Sequence, residues 1–232
     1  AILGAGTIRR YLVLLGSPSE ARDLGGHLGN WAELTVSDGK LTLVGVGQPL
    51  ELSQPADAGI PDEASFPPSL LAMKPLPYPQ NWGAFPELST VTRLSSVLFR
   101  QKTGRSVDGV MYADPYTFAA LLQLTGPVPV PGLAVQLGAD GAAEFLTRTQ
   151  FSAFSQEMFG NAALNELISA VFDKVTKVQL PGPRRLADLF SPLVRQGRFR
   201  FDTTHPEDAS LLRRLGLMGE IPDTDAVDLV DE

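Results

Sequence analysis

Tyr11-Leu12-Val13-Leu14-Leu15, then Ser17-Pro-Ser-Glu-Ala-Arg-Asp-Leu-Gly-Gly-His-Leu-Gly-Asn30, then Trp31-Ala32-Glu33-Leu34-Thr35-Val36 is the stretch on which the fold turns. The first run is continuously apolar and reads as a strand buried on both faces. The third alternates and reads as a second strand, with Leu34 and Val36 on one face and Glu33 and Thr35 on the other. Between them lie Glu20, Arg22, Asp23 and His27, interleaved with Gly16, Gly25, Gly26 and Gly29. Charged groups among glycines just past a buried strand are how an open α/β sheet builds a site at its strand ends. The same residues also suit a glycine-rich surface loop whose charges are simply solvated. Both readings stand at this point.

Working outward, Asp38-Gly39 separates the second strand from Lys40-Leu41-Thr42-Leu43-Val44. A two-residue Asp-Gly link predicts a hairpin, so the first three strands are expected to be neighbours in one sheet. From 47 to 85 prolines recur at a density that blocks regular helix and central strand. A long excursion is expected there, with one short helix near Ser69–Met73. Phe66, Tyr78, Trp82 and Phe85 favour an ordered segment that packs down.

Pro86-Glu87 opens a helix with proline in its first turn, and Gly104 closes it. Val107–Ala113 reads as a strand, and Asp114-Pro115 as an N-cap with proline in the first helical position. Helix, strand and helix in this order imply a crossover and a parallel strand pair. Val128-Pro129-Val130-Pro131 is extended and belongs at an edge. Residues 140–151 predict a helix with Ala142, Phe145 and Leu146 inward. A long amphipathic helix follows, capped by Asn161, and Pro181-Gly182-Pro183 breaks it. Arg198–Asp202 alternates as an edge strand with its arginines outward. A last helix carries Leu211, Leu212 and Leu215. The expectation is one domain over 1–222 and an acidic tail over 223–232.

Composition narrows the function. The 232 residues are 44% hydrophobic and carry a net charge of −7, with mean hydropathy near zero. That describes a globular chain and argues against non-specific binding to nucleic acid or to anionic lipid. There is no cysteine, which excludes disulfides and thiol chemistry, and the two histidines, His27 and His205, are far apart. No apolar run reaches the roughly 20 residues of a membrane helix, and no signal peptide is visible. No P-loop, dinucleotide, EF-hand or serine-hydrolase motif occurs, so an intracellular metabolic enzyme has no cofactor signature to rest on.

Arg10–Leu14, Ser19-Glu20-Ala21-Arg22 with Gly25-Gly26-His27-Leu28-Gly29, Thr103-Gly104 with Val107–Val110, Asp114-Pro115, Leu121-Leu122 with Thr125–Val128, and Leu215–Gly219 together resemble an actinobacterial envelope family catalogued as a domain of unknown function. The same pieces are more distantly similar to the LytR-CpsA-Psr family. Its members are α/β/α envelope enzymes that move glycopolymers from a polyprenyl-pyrophosphate carrier to the cell wall with magnesium. The resemblance implies a three-layer α/β/α sandwich around a mixed central sheet. It implies an extracytoplasmic, membrane-anchored cell-envelope location with the anchor outside this chain. The implied partner is an isoprenoid-linked glycan or cell-wall polymer.

Carried over position by position, Arg22 and Asp23 match the Arg and Asp that follow the family's first strand and become the catalytic candidates. Arg148 keeps the first arginine of the family's Arg-x-Arg, and Gln150 replaces the second. Glu20, Gly25, Gly26, His27, Arg100, Arg148 and Gln150 are the candidate ligand contacts, with Arg9 and Arg93 as further cations. Magnesium, if used, would sit on Asp23 or Glu20. The chain departs from the family after its third strand, where Val44–Gln48 holds no Arg-Asp pair. It departs again at Phe159–Ala163, which is uncharged. Pyrophosphate needs converging positive donors. The expected function is therefore a domain that binds a lipid-linked (polyprenyl phosphate) or polymeric glycan without full transferase machinery, with a glycopolymer transferase as the alternative.

Overall fold

The computed structural model describes residues 2–154, 157–179 and 181–219, so the acidic tail expected at 223–232 lies outside the described residues. The apolar run is the middle of β1, Ile8–Ser17. It pairs antiparallel with β2, His27–Ser37, and parallel with β4, Gly109–Ala113. β2 turns through Asp38 and Gly39, both at positive φ (48° and 78°), into β3, Lys40–Gly47. Such a turn matches strand twist and is the one Asp-Gly predicts. β7, Phe199–Thr203, closes the other edge antiparallel to β4. The sheet order is β3-β2-β1-β4-β7. The mixed central sheet is thus present, with β1 at its centre.

Helices cover both faces, giving the three-layer α/β/α sandwich. Leu12 and Leu14 of β1 and Val110 and Tyr112 of β4 point to one face. There they meet Leu88, Val91, Leu94 and Leu98 of α2, Leu88–Thr103. The proline-rich excursion completes this layer. It is ordered as three short 3₁₀ turns and one helix, α1, Pro68–Ala72. Trp82 is its anchor, 1% exposed, with its indole N–H donating to the Pro75 carbonyl at 2.9 Å. Pro86 lies just before α2 and not in its first turn, with Glu87 at the N-cap.

The opposite face buries Val13, Ala32 and Leu34 against α3, Pro115–Thr125, and α6, Glu157–Lys177. α6 begins ahead of Asn161, which is therefore inside the helix and not its cap. The helix expected over 140–151 is a composite: α4, Ala139–Glu144, a wide π turn at Phe145–Thr149, then α5, Gln150–Ala153. Val128–Pro129 forms β5 and pairs with β6, Gln136–Leu137, in a separate two-stranded sheet. α7, Pro183–Arg195, contacts α3 and β7. α8, Pro206–Arg214, packs Ala209 and Leu212 against Tyr11, Val36 and Phe201. No helix among the described residues is long and apolar enough to cross a membrane.

Three carboxylates tie the layers together through arginine. Glu33, 1% exposed on β2, accepts from Arg10 and, through both oxygens, from Arg105. Asp108 accepts from the Arg9 guanidinium (3.0 Å) and the Arg10 amide (2.7 Å), and sits 2.6 Å from His205 Nε2. Asp114 caps α3 through the Tyr116 and Thr117 amides (2.9 Å each) and accepts from Arg198 at 2.8 Å. Arg198 stacks on Tyr116 and Arg200 reaches the Pro86 carbonyl, so neither points outward from the edge strand as expected.

Truncating Leu12, which is fully buried, removes its transfer energy and leaves a cavity. Leu12→Ala is expected to cost about 3 kcal/mol in urea unfolding. Leu50→Ala, at a side chain 62% exposed, is expected to stay within about 0.5 kcal/mol. Equal losses at the two positions would contradict the core assigned here.

Candidate functional site

A cleft of about 670 Å³ opens where β1 and β4 end side by side. Parallel pairing brings both carboxyl ends to one edge, which is where open α/β sheets hold ligands. Leu15, Gly16 and Ser17 of β1, Ala113 at the end of β4, and Asp114 and Pro115 just beyond it form its floor. From the α3–α6 layer come Phe118, Leu146, Phe151, Phe154, Leu164 and Ile168, an apolar wall. From the β1–β2 connection, β2 and the excursion come Ser19, Glu20, His27, Asn30, Gln48 and Gln80, a polar wall. Phe151 and Leu50 stand at the mouth, 68% and 62% exposed.

Several expected residues gather here and several do not. Glu20, His27 and Gln150 line the cleft. Arg22 does not. It is half-buried, its guanidinium donates back to the Ala21 carbonyl at 2.6 Å, and it lies 3.9 Å from the Glu20 carboxylate. Asp23 and Arg148 are exposed and outside the lining. Their segments nevertheless meet: the Ser19 hydroxyl donates to the Thr147 carbonyl at 2.7 Å, holding the β1–β2 loop against the π turn.

Arg100 is exposed in the last turn of α2, which leads to the start of β4 beside Tyr11, at the sheet end away from the cleft. Arg93 donates to Ser65 and lies over Phe66, and Arg9 belongs to the Asp108 cluster. Neither lines the cleft.

Gly25 and Gly26 shape the loop and do not line the cleft. Gly25 lies against the Tyr112 hydroxyl, which a Cβ would approach to 2.8 Å. Gly26, at φ +143°, leaves no room for a Cβ beside the Ser17 carbonyl. Close approach of backbone is their physical reason.

The reading of the sequence missed Asn30, Gln48, Gln80, Asp114 as a floor residue, and the aromatics Phe151 and Phe154. Asn30, 8% exposed, donates to Asn165 of α6 at 2.7 Å and joins the walls. Asp114 was legible only as a cap, because capping is local and its place under the cleft depends on β4 pairing with β1.

The electrostatics are sparse. Glu20 and Asp114 are the charged side chains of the described lining, which holds no lysine or arginine. Burial holds the Asp114 carboxyl above the usual range, opposed by the Thr117 amide and Arg198. Burial pushes His27 below its ordinary pKa, with Glu20 opposing and Arg22 reinforcing the shift. Magnesium, implied by the LytR-CpsA-Psr resemblance, does not fit this donor set. Asp23 lies outside the lining, and no group of three metal-binding side chains forms among the described residues.

His27 gives a pH test with a definite sign. Its folded pKa is lowered, so the unfolded chain takes up a proton before the folded one does. Its contribution is fully present above the ordinary histidine value and is lost as pH falls below about 6.5 toward the lower folded pKa. Urea midpoints should therefore fall more steeply below that pH in the wild type than in His27→Gln. A parallel pair of curves would contradict the assignment.

No curated protein matches the sequence. Among solved structures, protein gbs0355 from Streptococcus agalactiae is 11% identical, with 91% of this chain and 74% of that one covered and a TM-score of 0.50. The transcriptional regulator yvhJ from Bacillus subtilis is 8% identical over 90% and 76% of the two chains, with a TM-score of 0.43. Lin1025 protein from Listeria innocua is 12% identical over 91% and 80%, also at 0.43. At such identity the likeness concerns the fold alone. A family model described as protein of unknown function (DUF4012) matches residues 7–151, from β1 to the mouth residue Phe151. That span is well over half of the sequence and holds most of the cleft, and the chain belongs to this family.

Proposed function

We propose that this is an extracytoplasmic cell-envelope domain whose cleft binds a lipid-linked or polymeric glycan without transferring it. The observation that carries the reading is the two-sided lining. Leu146, Phe154, Leu164 and Ile168 offer an apolar wall to a hydrocarbon chain. Glu20, Asn30, Gln48, Gln80 and Gln150 offer hydrogen bonds to hydroxyl groups. A volume of about 670 Å³ suits part of such an amphiphile, with the remainder leaving through the open mouth. The transferase reading draws on one observation, the Ser19–Thr147 hydrogen bond that seats the Arg22 and Arg148 segments on one rim. It is the weaker reading. Stabilising a departing pyrophosphate needs donors aimed at the developing charge, and neither guanidinium lines the cleft.

Native mass spectrometry of the protein purified from membrane-containing cells is expected to show a co-purified lipid of long-chain mass. Leu164→Trp fills the slot and should remove that lipid while the melting temperature of the lipid-free protein stays within a few degrees. A wild type that never carries lipid, or a variant that keeps it, would overturn the reading. Turnover of a lipid-linked glycan by the wild type, lost in Arg22→Ala, would favour the transferase.

A further inference from the structure

We infer that the head group bound at this cleft is an uncharged, polyhydroxylated one, a sugar joined to its lipid without a phosphate inside the site. The inference rests on the binding reading above and deepens it. Three observations point the same way.

The first is the acceptor atoms. The Gln150 side-chain N–H donates to the Leu146 carbonyl, which fixes the amide and leaves Oε1 as its free end. That oxygen is buried and has no partner among the described residues. Gln80 Oε1 is buried and unpartnered in the same way, and both glutamines line the cleft. A buried acceptor without a donor is costly, so a ligand whose hydroxyl groups reach in at these two glutamines would satisfy them. A phosphate dianion has no hydrogen to give them.

The second is the helix end. The N-terminus of α3 faces the floor of the cleft, where a phosphate would otherwise find free backbone N–H groups. Asp114 already occupies it, accepting from the Tyr116 and Thr117 amides, with Arg198 completing its partners. An incoming anion would meet a carboxylate in place of donors.

The third is the charge of the lining. Its charged members are Glu20 and Asp114; Arg22 lies beside Glu20 and Arg198 is spent on Asp114, both outside the lining. Phe151 and Phe154, in contrast, suit the C–H face of a sugar ring while the amides take its hydroxyls.

Two probes with the same chain separate head group from tail: dodecyl maltoside and dodecyl phosphate, each titrated below its micelle concentration by calorimetry. Dodecyl maltoside is expected to bind at least about tenfold more tightly, the equivalent of about 1.4 kcal/mol. Gln150→Leu should weaken the maltoside several-fold and leave the phosphate unchanged. Glu20→Gln, at a rim carboxylate that is 62% exposed, should strengthen the phosphate a few-fold and so narrow the gap. Phosphate binding equal to or tighter than maltoside would overturn the inference while leaving the binding reading intact. If neither probe binds, the reading itself falls and the inference with it.

Discussion

Everything at the functional end of this protein depends on β1 being hydrogen-bonded along both edges, antiparallel to β2 and parallel to β4. A strand in that position has no free edge and no solvent face, so its side chains must be apolar on both sides. Leu12 and Leu14 serve one layer and Val13 the other. The parallel half of that arrangement is what makes a site. It brings the carboxyl ends of β1 and β4 together, and the chain must leave both in different directions. The space between the departing segments is the cleft.

Several guanidinium groups hold the fold together outside the cleft lining, and Arg9 is the one of them that the sequence had offered to the site. Arg10 and Arg105 neutralise Glu33 inside the α2 layer, Arg9 joins Asp108 to α8, and Arg198 joins Asp114 to β7. A buried carboxylate needs such a partner, because an unpaired charge in a low-dielectric interior is strongly unfavourable. What is left to line the cleft holds no lysine or arginine among the described residues: amides with Glu20 and His27 on one side, hydrocarbon on the other, and Asp114 in the floor. The chemical character of the site follows from how the arginines are distributed.

The proline-rich excursion shows how a segment without regular structure still contributes. Its 3₁₀ turns leave few backbone bonds of their own, so Trp82 and Phe66 fix it by burial, and Arg93 clamps it to α2. Once fixed, it offers Gln48 and Gln80 to the cleft from positions more than thirty residues apart. Gln80 sits next to Asn81-Trp82, yet no local pattern separates the glutamine that lines a site from the tryptophan that anchors a loop.

The strands, the Asp38-Gly39 hairpin, the Asp114-Pro115 helix start and the parallel crossover were legible because each is set by neighbours in sequence: apolar periodicity, positive φ, a side chain capping its own helix. That the loop carrying Glu20 and His27 lies at one end of the sheet was legible for a related reason, since a loop after a central strand has one end to reach, whereas Gln150 was named only through the family resemblance. Which way Arg22, Asp23 and Arg148 turn was not legible, nor was the remoteness of Arg100, nor the aromatic wall of Phe151 and Phe154. The sequence alone determined the layers and the strand that lies at their centre. Tertiary structure decided the chemistry of the cleft, because the charged partners of Glu33, Asp108 and Asp114 come from segments 23 to 99 residues away, and only the folded chain brings them within hydrogen-bonding reach.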